Sequence, residues 1–392
     1  MLMRKVCIIT GTRAEYGLLK PLIARVDDAD DMELQLVATG MHLSPEFGLT
    51  YKEIEKDGFQ ITERNEMLLS SDTANGITKS IGLGIIGFAD IFTKINPDII
   101  IILGDRYEAL AAATAAMVHR IPIAHIYGGE LTLGAIDDVI RHSITKMSTL
   151  HFTSTVEYRK RVIQLGENSE KVFNVGSLGI ENIKTQVLLG KKELEQSLRH
   201  SLNSPYVVVT FHPVTLEHNT TAEQFDNILN ALEHFREYLI IFTMANADTD
   251  GRIINQKIEK YTREHRDRAL AFASLGMVRY LSALKYCEMV IGNSSSGIVE
   301  APSLKIPTVN IGDRQLGRVK ASSVIDCGNS MGEIVDAINR AKKLKAEGLH
   351  AIDNPYEKED TSGEIYSIVR KVLLNGVEMK KGFFDISFNL EG

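Results

Sequence analysis

Residues 99–103 read Ile-Ile-Ile-Ile-Leu and run straight into Gly104 and Asp105. A run with no polar position leaves neither face of a strand fit for water, so it belongs inside a sheet covered on both sides. Shorter Val- and Ile-rich runs recur at 6–10, 34–39, 121–126, 150–153 and 172–175, with amphipathic stretches such as 16–26 and 108–118 between them. Buried strands alternating with helices signal a doubly wound parallel sheet. The pattern restarts at 206–211, 239–244, 269–272, 289–292, 308–311 and 324–326. The intervening 190–205 is polar, helix-prone and ends in Ser-Pro, which places a boundary in or just before it. Two doubly wound halves are expected, over 1–185 and 186–365, followed by a helix and tail over 366–392. Ligands should lie at the carboxyl ends of the strands, in the cleft between the halves.

The 392 residues suffice for two cores, and a net charge of −7 argues against a nucleic-acid binder working through a broad basic surface. Cys7, Cys287 and Cys327 are too scattered for a disulfide framework or a metal site, and read as buried thiols in a reducing compartment. The dispersed histidines add no zinc spacing, so no metal is expected. The apolar run before Gly11 is too short for a signal-peptide core, and no stretch approaches 18 consecutive apolar residues. A cytoplasmic chain with neither membrane nor nucleic acid as partner is the expectation.

Polar residues at strand ends carry the chemical signal. GTRAEYG, 11–17, sets Arg13 at the mouth of a helix, where a guanidinium beside helix amides suits a diphosphate or merely faces solvent. It lacks GxGxxG spacing, so no nicotinamide cofactor is implied. GDRYE, 104–108, puts Asp105 after five buried residues, a costly place for a carboxylate without a partner or a task; Arg106 could be that partner. HIYGGELTLGAIDDVIRHS, 125–143, gathers Glu130, Asp137, Asp138, Arg141 and His142. Asp138 suits a helix cap, and Asp137 suits chemistry.

In the second half, FHP at 211–213 places His212 just past a strand, where it is either aimed at the cleft or a satisfied structural histidine. GNSSSG, 292–297, ends a strand at Gly292 and opens a helix that contains Glu300. Small hydroxyl residues and backbone amides there can cradle phosphate without a metal, although serines are also common caps. Glu300 could accept hydrogen bonds from a ribose. GDRQLGR, 312–318, adds Arg314 and Arg318.

Taken in order, GTRAEYG, ATGMHLS (38–44), GDR, GGE with IDD and IRHSITK, FHP, NAD (246–248), GNSSSG and GDRQLGR resemble the hydrolysing UDP-N-acetylglucosamine 2-epimerases of the sialic-acid pathway. The likeness runs from residue 5 to the FFDI segment at 383–386. It implies a GT-B-like pair of Rossmann-type domains, a last helix crossing back to the first, a homodimer or higher homo-oligomer, and no cofactor. It also implies the reaction. The C2 hydrogen of the sugar has no adjacent carbonyl, so elimination of UDP to a 2-acetamidoglucal replaces direct deprotonation, and hydration then gives N-acetylmannosamine. Such a path needs carboxyl groups around C1 and C2 and positive charge over the departing diphosphate.

By motif position, Asp105 and Asp137 are the implied acid and base, and His212 assists departure of UDP. Arg13, Arg106, His42, Asn246, Asn293, Ser294, Ser295, Ser296, Gly297, Glu300 and Arg314 would hold UDP and sugar. The family pattern HIEGGE reads HIYGGE here, so Tyr127 stands where a Glu is expected, and the loop from GGE to IDD is one residue longer. Either Glu130 supplies the carboxylate or Tyr127 takes a phenolic role. A 2-epimerase of a UDP-2,4-diacetamido-2,4,6-trideoxyhexose keeps every motif. A GT-B glycosyltransferase would share the UDP site without needing carboxylates at both Asp105 and Asp137, and a UDP-sugar sensor would need neither.

Overall fold

The computed structural model describes residues 3–69, 71, 73–132, 136–213, 220–245, 251–349 and 352–387. The first half runs β1 (Arg4–Thr10), α1 (Arg13–Asp27), β2 (Met32–Thr39), α2 (Tyr51–Lys56), β3 (Ile61–Asn65), α3 (Ala74–Ile95), β4 (Ile99–Leu103), α4 (Tyr107–His119), β5 (Ile123–Ile126), α5 (Ile136–Met147), β6 (Leu150–Thr153), α6 (Val156–Gln164), β7 (Val172–Asn174) and α7 (Leu178–Thr185). The second runs α8 (Lys191–Leu198), β8 (Tyr206–Thr210), α9 (Thr221–Leu232), β9 (Leu239–Thr243), α10 (Gly251–Glu264), β10 (Ala269–Phe272), α11 (Met277–Tyr286), β11 (Met289–Gly292), α12 (Ser295–Val299), β12 (Thr308–Ile311), β13 (Val324–Cys327), α13 (Met331–Glu347) and α14 (Thr361–Asn375).

Two wholly parallel sheets result, ordered β3-β2-β1-β4-β5-β6-β7 and β10-β9-β8-β11-β12-β13. Every residue of β4 is buried, and its odd and even positions feed separate cores on the two faces of the sheet. Strand β3 is the element that the apolar pattern does not reveal. It reads ITERN, sits at the sheet edge and buries only Asn65. An edge strand with one covered side needs little apolar character.

Helix α3 is the longest helix among the described residues. Its 22 residues have the length and hydropathy of a possible span, although Lys79, Asp90 and Lys94 interrupt it. Phe88, Ile91 and Phe92 lie in the core beside β4, while Leu83 and Ile86 face outward. Helix α14 returns to the first half, where Ile365, Val369 and Leu373 join the core of α1, β1 and β2. In each sheet the strand order reverses at one point, between β1 and β4 and between β8 and β11. The loops after these four strands are where such sheets hold ligands.

Candidate active site

The loops at both reversal points meet across one cleft made of two adjoining cavities. The first is lined by Asp105, Tyr127, Glu130, Arg141 and Ser177 from one half and by Ser295, Glu300, Arg314 and Arg318 from the other. The second is lined by Arg13, Asn182, Thr210, His212, Tyr280 and Ser294, with Ser296 beside them. Leu18, Ser295 and Glu300 line both, so the two are compartments of one site.

Asp105 follows β4 through Gly104, whose φ of +77° turns the chain off the sheet. Its partner is not Arg106 but Arg141, from the second turn of α5. Arg141 is 3% exposed and also donates to the Tyr127 carbonyl at 3.1 Å and to Thr132 Oγ1 at 3.1 Å. Glu130 lies between two buried guanidiniums, 3.4 Å from Arg141 and 2.8 Å from Arg318, and accepts from Ser154 Oγ at 2.6 Å. Arg318 also donates from Nε to the Leu131 carbonyl at 2.7 Å. Burial opposes its charge, but Glu130 and neighbouring groups raise its pKa above the usual arginine value. The Glu130–Arg318 pair therefore ties the two halves together at the first cavity.

Tyr127 adopts φ +68°, rare for a bulky residue. Its hydroxyl meets Ser177 Oγ at 3.1 Å and accepts from the Leu178 amide at 2.9 Å. Burial pushes the phenol pKa well up, so the group is protonated at neutral pH. Its phenolic proton is therefore held, and the hydroxyl braces the start of α7. Asp138 accepts from the Thr132 amide at 3.0 Å and lies 3.8 Å from His142, so it fastens the loop before α5. Asp137 is half-buried in the first turn of α5 and is not among the residues lining either cavity.

Asn293 lines neither cavity and instead fixes His212. Its side chain accepts from the His212 amide at 2.7 Å and donates to the His212 carbonyl at 2.8 Å. Arg314 and Gln315 in turn donate to the Asn293 carbonyl at 3.1 and 2.8 Å. Ser294 is the N-cap of the short α12, accepting from Ser296 N at 3.4 Å. Gly297 is there for packing, since a Cβ would stand 2.6 Å from the Thr308 methyl. Glu300 ends this turn, and burial pushes its carboxyl up to about 7.

Arg13 opens α1 behind the Thr12 cap and pairs with Glu53 at 2.6 Å. Burial lowers its pKa, partly offset by Glu53. Its guanidinium passes so close to Gly276 of the other half that a Cβ there would lie 2.3 Å from it.

Besides Asn293 and Gly297, two further binding candidates do not line the cleft. His42 is wholly buried, with Thr10 Oγ1 at 3.0 Å and Thr50 Oγ1 at 2.8 Å on its two nitrogens, and burial lowers its pKa to about 4. It is a neutral core histidine under the Arg13 loop. Arg106 turns away to Glu108 at 3.2 Å. Asn246 lies outside the described residues. Arg141 and Arg318 were recognisable as charged residues inside good motifs, but only the fold shows that they pair with carboxylates. Ser177, in the small-residue turn after β7, offers no distinguishing sequence signal.

No group of three metal-binding side chains occurs among the described residues. The arrangement thus has hydroxyls, backbone amides and Arg13 for an anionic group on one side. On the other it has an enclosed carboxylate–guanidinium network for a smaller polar group.

Known proteins resemble this chain in sequence and in fold. A relative in Campylobacter jejuni, named GDP/UDP-N,N'-diacetylbacillosamine 2-epimerase (hydrolyzing), is 46% identical over 88% of both chains. The polysialic acid biosynthesis protein P7 of Escherichia coli is 42% identical over 98% of both. The crystal structure of UDP-GlcNAc 2-epimerase from Neisseria meningitidis bound to UDP-GlcNAc superposes with a TM-score of 0.77 at 18% identity, covering 94% of this chain and all of that one, a likeness of fold. A family model described as UDP-N-acetylglucosamine 2-epimerase matches residues 24–370, and the chain belongs to that family.

Proposed function

We propose that the chain is a hydrolysing 2-epimerase that converts UDP-N-acetylglucosamine and water to N-acetylmannosamine and UDP. The observation that carries this reading is the pairing of two compartments in one cleft: Arg13, His212 and Ser294–Ser296 around one, and Asp105 with Arg141 in the other. UDP would lie in the first, with Arg13 and the α12 amides taking the diphosphate charge and Glu300 accepting from the ribose. His212, held at its backbone by Asn293, would steady the leaving oxygen. Asp105, oriented by Arg141, would take the C2 proton as UDP leaves C1, giving the glucal. Return of a proton to C2 from the opposite face, with water adding at C1, completes the inversion. Asp137 is the proposed second acid/base group, brought in from the first turn of α5.

A second substrate reading has a specific support: the 46%-identical relative is named for a diacetylbacillosamine. The 4-acetamido-6-deoxy sugar is less polar than N-acetylglucosamine, and Leu18, Leu103 and Val299 give the sugar compartment an apolar wall. Incubating the protein with each UDP-sugar in deuterated water decides both questions. Free 2-epimeric sugar with deuterium at C2 is expected, and the better kcat/KM names the substrate. Sugar still attached to UDP would overturn the hydrolysing reading.

A further inference from the structure

After α14 the chain runs through Gly376–Ser387 without helix or strand, yet part of it is firmly held. The Phe384 amide donates to the Gly166 carbonyl at 2.9 Å. The Phe383 ring lies on Gly166, where a Cβ would come within 2.4 Å of it, and the Lys146 ammonium sits 5.0 Å from the ring centroid. Between these anchors and α14, Lys381 reaches the last turn of α5. Its ammonium donates to the Lys146 carbonyl at 2.8 Å and the Ser148 carbonyl at 2.7 Å, with the Thr145 carbonyl at 3.3 Å. It also pairs with Glu167 at 2.6 Å.

These carbonyls need an outside partner. A helix leaves its last four C=O groups unsatisfied, and a terminal glycine in the left-handed conformation often takes care of them. Helix α5 has no such glycine; Ser148 and Thr149 lead directly into β6. Ser148 covers part of the deficit, through its hydroxyl to the Ile144 carbonyl at 2.7 Å and its amide to the Thr145 carbonyl at 3.1 Å. A cation there also favours the negative end of the helix dipole. Glu167, nearly sealed from solvent, holds Lys381 in place together with Lys146 at 2.6 Å and His151 at 2.9 Å.

Two short paths lead from this turn to the reacting groups. Up the helix, Arg141 stands five residues from Lys146 and grips Asp105. Across the sheet, Thr145 Oγ1 is 3.2 Å from His125 Nδ1, and His125 Nε2 donates to the Gly104 carbonyl at 2.7 Å, one residue before Asp105. Burial lowers the His125 pKa to about 3, so the ring is neutral and carries its single proton on the nitrogen facing that carbonyl.

We propose that Lys381 is a positioning residue for the reaction: the tail segment caps α5 from outside and so sets where Arg141 and Gly104 hold Asp105. The inference rests on the reading of the cleft given above. Helix α5 touches the sugar compartment and not the UDP compartment, which gives the test its contrast. Lys381→Met should lower kcat about tenfold, leave KM and the Kd for UDP within about twofold, and raise hydrogen exchange in the amides of 141–148. Lys381→Arg, which keeps donors and charge, should recover most of the loss. Phe383→Ala, a milder loosening of the tail, should show the same kcat-only pattern at smaller size and serves if Lys381→Met folds poorly. Unchanged exchange in α5 would overturn the proposal whatever the substrate proves to be. So would faster exchange with undiminished kcat, or a loss of UDP affinity equal to the loss of kcat. Because exchange is read without substrate, failure of the epimerase reading would be seen separately, as absent turnover in the unaltered protein.

Discussion

Glu130 and Tyr127 compete for one chemical role, and their surroundings separate them. The Glu130 carboxylate is shared by Arg141 and Arg318, all three nearly inaccessible. Glu130→Gln leaves two guanidiniums with too little negative charge between them, and breaking a buried pair costs about 3 kcal/mol or more. The expected result is a lower Tm together with a loss of kcat, because Arg141 also orients Asp105. Tyr127→Phe removes only the hydroxyl that accepts from Leu178, a cost of about 1 kcal/mol. Turnover should stay within about threefold, and no glucal should accumulate. A hundredfold loss in Tyr127→Phe without loss of stability would restore a chemical role to the phenol. Glu300 offers a pH test. Its folded pKa of about 7 lies above the ordinary 4.5, so its contribution to stability is fully present below pH 4.5 and is lost as pH rises through 7. Glu300→Gln lacks that loss. Without ligand, the variant's Tm should therefore gain on the unaltered protein between pH 5 and pH 8, and a constant difference would show that Glu300 does not titrate there. If the Glu300 carboxylate is the ribose acceptor as proposed, UDP should bind the variant more weakly at pH 8.

Among the elements, the turn from β11 into α12 tolerates least change. Gly292 pairs with Thr210 of β8 at φ +134°, and a Cβ would stand 1.9 Å from the Thr210 carbonyl oxygen. Gly292→Ala must push β8 and β11 apart where His212 and Ser294 leave the sheet. About 3 kcal/mol or more of stability should go, and UDP binding with it. Gly104 is the control: a Cβ there meets nothing within 4 Å, so Gly104→Ala should cost only the left-handed backbone, about 1 kcal/mol. Equal melting temperatures for the two variants would contradict the packing argument. The same contrast explains what a reader of the sequence can see. Strands such as β4, β8 and β11 are legible because burial on both faces demands unbroken apolar runs, whereas ITERN of β3 is invisible because an edge demands little. The strand-end motifs likewise mark the cleft, since polar residues after such runs need a reason. The partners chosen within it are not legible. Asp105 reaches 36 residues to Arg141, and Glu130 reaches across the halves to Arg318. His42 looks like any motif histidine until Thr10 and Thr50 are seen to occupy both of its nitrogens.

On the scale of the whole molecule, three neighbouring helices of the first half leave apolar side chains in water. Helix α3 shows Leu83 and Ile86, α4 shows Met117 and Val118, and α5 shows Ile136 and Val139, with Ile86, Val118 and Val139 each about two-thirds exposed. Scattered exposed apolar residues need no explanation, but several on three adjacent helices would suit a contact with another chain. A second copy of the chain is the occupant we propose, since two-fold pairing of one such face buries it against itself. The protein should therefore run at twice its 43.5 kDa chain mass by light scattering, and Ile86→Lys with Val118→Lys should shift it towards a single chain. A single-chain mass for the unaltered protein would end the proposal. Pairing also bears on activity, because α5 lies in this face, takes the Lys381 cap at its far end and carries Arg141 in its middle. A face that steadies α5 would act on the proposed sugar compartment, which Arg141 lines, and leave the proposed UDP compartment alone. The double variant should thus lose kcat while keeping its affinity for UDP. Combined with Lys381→Met it should lose less than the product of the two separate effects, since both loosen the same helix.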